Sequence, residues 1–107
     1  MEIKLMQDRV YAWAKSKGWC DREVPIPEQI ALVHSELSEA LEAWRNKEPL
    51  TWTDENNKPQ GIASEYADSV IRIMHYCSLL GIDLSNELIR KMDYNDTRPH
   101  RHGGKAG

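Results

Sequence analysis

Apolar residues recur at helical spacing in four blocks of this chain, and proline, glycine or asparagine stands between the blocks. The first block carries Ile3, Met6, Val10, Trp13 and Ala14 and predicts a helix from residue 2 to about 17, ending at Gly18. Pro25 and Pro27 mark the turn into a second helix over roughly 27–46, with Pro27 in its first turn. Its apolar stripe is Ile30, Val33, Leu37, Leu41 and Trp44. Asn46 to Gln60 is polar, holds Pro49, Pro59 and the pair Asn56-Asn57, and reads as a loop. A third helix is expected over about 62–80, closing at Gly81, with a broad apolar face of Ile62, Tyr66, Val70, Ile73, Met74, Cys77 and Leu80. A fourth, over about 84–97, has Asp83 as its cap and stops before Pro99. No strand-type alternation stands out. The expected fold is therefore all-α, a four-helix core whose bundle is completed by homo-oligomerisation, because helix three is apolar around more of its circumference than one short bundle covers.

At 107 residues the chain is expected to form one domain, 1–107, with a modest core, and residues 98–107 read as a flexible basic tail. Net charge is -3, but residues 90–107 hold Arg90, Lys91, Arg98, Arg101 and Lys105 against only Asp93 and Asp96, so the remainder is strongly acidic. Two cysteines, Cys20 and Cys77, without CxxC or Cys/His spacing, argue against a disulfide framework and a structural zinc site. Cys77 is expected to be a small buried hydrophobe. No apolar run approaches membrane-spanning length and the first residues do not resemble a signal peptide, so the expectation is a cytoplasmic protein with no membrane partner. The basic residues are few and the acidic bulk would repel a duplex, which argues against nucleic acid as a partner.

The charge pattern points to chemistry at two pairs of carboxylates, Glu36-x-x-Glu39 and Glu65-x-x-Asp68. Residues three apart lie one turn apart on a single helix face, so each pair aims two carboxylates at one point. Glu36 and Glu39 fall on the flank of an apolar stripe, between Leu32 and Ala43, and Glu65 and Asp68 share a stripe with Arg72, His75 and Leu79. One such pair is ordinary on a solvated face. Two like-charged pairs flanking the cores of neighbouring helices repel one another and raise each other's pKa unless a cation intervenes. Oxygen donors of this kind suit a hard cation, Mg²⁺ first, with Mn²⁺ as a substitute. A di-iron carboxylate site would need Glu-x-x-His, and Glu39 and Asp68 stand where histidine would be required. Glu42 reads as a surface residue with Arg45 and Lys47 as partners.

The basic end complements the acid. Lys91, Asn95 and Arg98 share one face of the fourth helix and offer a point charge, a neutral donor and a bidentate fork to phosphate oxygens. Arg101, Lys105 and the histidines His100 and His102 extend that set along the tail, although cations at a helix C-terminus also serve its dipole.

Three stretches, His34 to Glu42, Lys58 to Arg72 and Lys91 to Lys105, together resemble the MazG-like family of all-α nucleoside triphosphate pyrophosphohydrolases. The resemblance covers roughly residues 28–105, with 25 residues between Glu39 and Glu65. It implies hydrolysis of the α–β phosphate bond of an NTP or dNTP to the monophosphate and pyrophosphate, in house-cleaning of the nucleotide pool. Glu36, Glu39, Glu65 and Asp68 would then hold Mg²⁺ and carry catalysis, Lys91, Asn95, Arg98 and Lys105 would bind substrate, and the assembly would be a homodimer or homotetramer. Some members have adjacent glutamates at the start of the first motif, whereas Ser35 precedes Glu36 here, which leaves open which carboxylate activates water. For the base, Trp13, Trp44, Trp52, Tyr94 and His34 are candidates, with Trp13 and Trp44 better explained as core and Trp52, in the polar loop, the hardest to explain by packing within the chain and open to a base or a neighbouring subunit. The alternative is a non-catalytic helical dimer that holds a nucleotide or a partner protein, a reading with little use for four convergent carboxylates.

Overall fold

The computed structural model describes residues 2–99, and the tail from His100 onward, with Lys105, lies outside them. Four helices appear where the apolar periodicity puts them: α1 (Ile3–Ser16), α2 (Ile26–Arg45), α3 (Ile62–Leu79) and α4 (Leu84–Asp96). Local chemistry sets their ends. Pro25 caps α2 with Pro27 in the first turn, and Asp83 caps α4 by accepting from the Asn86 amide at 3.1 Å. Gly18, at φ 83°, takes the left-handed turn that closes α1, and the Trp19 amide reaches back to the Ala14 carbonyl at 3.0 Å.

The polar segment between α2 and α3 is not structureless. Trp52–Thr53 (β1) pairs antiparallel with Pro59–Gln60 (β2) in a two-stranded hairpin. Strands of two residues are too short for an alternation to register in sequence, and side-chain bonds hold the turn instead. Asp54 accepts from the Asn56 and Lys58 amides and from the Gln60 side chain, and these bonds, Gln60's first, hold its carboxyl below the usual range. The Trp52 indole donates to Glu48 at 2.9 Å, which accounts for this loop tryptophan within the chain itself. Gly61 then starts α3 at φ 97°, where a Cβ would come within 2.5 Å of the Leu50 carbonyl oxygen. That carbonyl accepts from the Ala63 amide, so the approach of the two backbones positions the first turn of α3.

α2 and α3 pack antiparallel along a seam of small and polar residues: Gln29, Ala40 and Ala43 from α2 are buried, as are Ser69 and Tyr76 from α3. α1 covers another side of α3, where the buried Gln7 donates to Ser78 Oγ (3.1 Å) and the Ile82 carbonyl (2.8 Å). Gln7 Oε1 accepts from the Leu84 amide, so one side chain ties α1 to the turn that launches α4. α4 packs chiefly on α1 and buries no residue fully.

The expected core of α2 is therefore displaced. Ile30, Leu37, Leu41 and Trp44 are 54%, 45%, 46% and 64% exposed, and Trp13 is exposed as well. The small side chains Ala40 and Ala43 let the two helices approach, and the large ones turn outward. Cys77 is half-buried.

Candidate metal centre

The α2–α3 seam brings all four predicted carboxylates together. One oxygen each from Glu36, Glu65 and Asp68 lies within 4.8 Å of the others. Glu39, one turn along α2, borders Glu65 closely enough for the two carboxyls to share a proton while Glu65 is neutral. With both ionised neither has a hydrogen to donate, and Glu65 Oε2 is then buried without a partner among the described residues.

Electrostatics follow from that crowding. Burial first, then Glu39, Asp68 and Glu36, push the Glu65 carboxyl up to about 7. Asp68 is raised by burial and by Glu36 and Glu39, with Lys58 and Arg72 pulling the other way. Glu36 has an internal counter-ion, accepting from Arg72 Nε at 2.8 Å. Arg72 also donates to the Tyr76 hydroxyl at 3.1 Å and lies 5.2 Å from the centre of the Trp19 ring. The donor set fits a hard divalent cation: the oxygens come from separate helix turns, lie close together, and include one buried carboxylate oxygen with no other partner among the described residues. Arg72 neutralises only one of the four acids.

The basic residues are placed elsewhere in the single chain. Lys91 and Arg98 flank Tyr94 on α4, at 5.6 and 5.9 Å from its ring centre. The charges acting most on Glu65 and Asp68 come from α2, α3 and Lys58 of the hairpin, with none from α4. Lys91 and Asn95 lie on α4, Arg98 lies just past its Thr97 cap and so off the helix face expected for it, and none of the three joins the acidic cluster. His34 is exposed, and Glu42 pairs with Arg45 at 3.8 Å on the surface, as expected.

Arg72 and Trp19 were not among the residues singled out as functional. Arg72 sits four residues after Asp68 and seven after Glu65, a spacing that puts it on their face and was readable as such. Trp19 follows the end of α1, and only the Gly18 turn brings it to Arg72 and His75. His75 itself is fully buried among Tyr11, Trp19 and Tyr76, and burial, then Arg72, lower its pKa, which keeps it neutral.

Fold and site define a mostly helical protein with a carboxylate cluster between two antiparallel helices. The chain matches no protein-family model, no curated protein and no solved structure.

Proposed function

We propose that this chain is a divalent-metal-dependent nucleotide pyrophosphohydrolase, cutting the α–β phosphate bond of (d)NTPs to release (d)NMP and pyrophosphate, in house-cleaning of the nucleotide pool. The observation that carries the reading is the convergence of Glu36, Glu65 and Asp68 on one point, with Glu39 beside them. Those four carboxylates would hold Mg²⁺ or Mn²⁺. A bound cation there supplies neutralisation of phosphate charge and activation of water. The remaining work falls to the protein's own groups. One of the four carboxylates would take the proton from the attacking water. Arg72 orients Glu36. Within one chain Lys91, Asn95 and Arg98 stand apart from the carboxylates, so in this reading they would reach the β and γ phosphates from a second copy.

Assembly belongs to the same reading. In an antiparallel pair, a one-residue step past the seam turns both helices to the same side. Leu37 and Leu41 of α2 and Tyr66, Val70 and Ile73 of α3 take that step and are exposed, forming one apolar face. A groove of about 630 Å³ between α1 and α3 extends it. Glu39 and Asp68 step the opposite way, so two copies joined through the apolar face leave the acid open. A homodimer, or a dimer of dimers, follows. Sedimentation of a monomer at micromolar concentration would contradict it.

The deciding experiment is product analysis on a panel of NTPs and dNTPs with Mg²⁺ and with EDTA. Metal-dependent pyrophosphate with the matching monophosphate is expected. Orthophosphate would move the cut to another bond, and binding without turnover would support a non-catalytic nucleotide-holding dimer.

A further inference from the structure

Beside the acidic cluster, and sharing Arg72 with it, lies a recess of about 300 Å³ between the α1–α2 connection and α3. It is at the small end of ligand clefts, a size for one flat ring system rather than a whole nucleotide. Trp19, His75 and Tyr76 give it ring walls, Val24 and Leu32 apolar ones, and Arg22 and Arg72 line its polar part.

Two features define what fits. Both guanidiniums are already neutralised, Arg22 by Glu28 and Arg72 by Glu36, so the recess has N–H donors without net positive charge. An anion gains little there. A neutral ring with acceptor atoms gains from the donors Arg72 has left after its bonds to Glu36 and Tyr76. His75, which also lines the recess, has a buried Nδ1 with no partner among the described residues.

We propose that this recess takes the nucleobase of the substrate and that Arg72 reads a purine edge carrying two adjacent acceptors, O6 and N7, selecting guanine or hypoxanthine over adenine. The inference rests on the nucleotide reading of the acidic site. Its chemistry is that of arginine and guanine in general: the fork matches two neighbouring acceptors, whereas adenine places an amino donor against guanidinium donors. Loss of one bond and an unpaired buried donor together disfavour the wrong base by tenfold or more. Sharing Arg72 with Glu36 puts the base one side chain away from the carboxylates, on the same molecule as the phosphates they would act on.

The test is equilibrium binding of GMP, IMP and AMP to the full chain in EDTA, followed by tryptophan fluorescence, with inorganic phosphate as competitor. GMP and IMP are expected to bind at least tenfold more tightly than AMP. In Arg72→Met that ratio should fall to within twofold. Arg72→Lys, which keeps the charge beside Glu36 and loses only the fork, guards against misfolding and should lose selectivity as well. Equal or tighter AMP binding, selectivity surviving in Arg72→Lys, displacement of GMP by phosphate at matching concentrations, or no binding at millimolar monophosphate would each overturn it. Pyrophosphate release with no base preference would remove this inference and leave the catalytic reading standing. Guanine-selective binding without pyrophosphate release would do the reverse.

Discussion

Replacing Glu65 with glutamine should stabilise the metal-free protein, although it removes a residue central to the site. Glu65 Oε2 is buried without a partner among the described residues, and Glu39, Asp68 and Glu36 surround it with like charge. Its folded pKa is raised from 4.5 to about 7, so the folded state keeps a proton that the unfolded chain has released. Between those values the folded state binds more protons, and stability falls as pH rises; below 4.5 the penalty is absent and above 7 it is complete. At about 1.4 kcal/mol per pH unit the full penalty is roughly 3 kcal/mol. The cluster opens to solvent at Asp68 and Glu39, and screening reduces that to about 1–2 kcal/mol. Glutamine is isosteric, carries no charge and donates to Glu39. Urea unfolding in EDTA, at one fixed protein concentration, should show Glu65→Gln more stable than the parent by about 1–2 kcal/mol at pH 8 and close to it at pH 5. Added Mg²⁺ should stabilise the parent more than the variant. A variant less stable than the parent at pH 8, or a difference that does not change with pH, would refute the argument.

Three further outcomes are expected. Asp68→Asn should abolish Mg²⁺-dependent pyrophosphate release while leaving the far-ultraviolet circular dichroism intact; normal turnover would remove Asp68 from the site. Gln7→Leu should cost about 1–3 kcal/mol in urea unfolding, because the Ile82 carbonyl and Leu84 amide lose their partner in a part-buried place, and a loss under about 0.5 kcal/mol would show the tie to be idle. Gly61→Ala should cost at least about 2 kcal/mol, combining left-handed backbone strain with a Cβ pressed on the Leu50 carbonyl, and an unchanged denaturation midpoint would contradict that contact.

Much of this protein was legible before any coordinates. The positions of all four helices, the Asp83 cap, the Pro27 start and the pairing of Glu42 with Arg45 are local matters, decided within one or two turns of chain. The i, i+3 spacing of Glu36 with Glu39 and of Glu65 with Asp68 carried the same kind of information. The hairpin escaped because strands of two residues leave no periodic trace, and its bonds run through Asp54 side-chain oxygens. The inner face of α2 escaped for another reason. Hydrophobicity ranks Leu37, Leu41 and Trp44 above Ala40 and Ala43, but close approach of two helices selects the smaller side chains.

The sequence by itself determined the helices, their ends and the face each carboxylate occupies, because those depend on spacing along a regular backbone. Only the tertiary structure decided that the two acidic pairs meet across one seam, that Arg72 bridges them to a recess lined by Trp19 and His75, and that Lys91, Asn95 and Arg98 stand apart on and just past the end of α4. Those facts join residues as much as 56 positions apart, as Trp19 and His75 are, and no periodicity spans such a separation. They depend on which helix faces pack, and that is settled by side-chain size and by the buried polar groups each contact must satisfy.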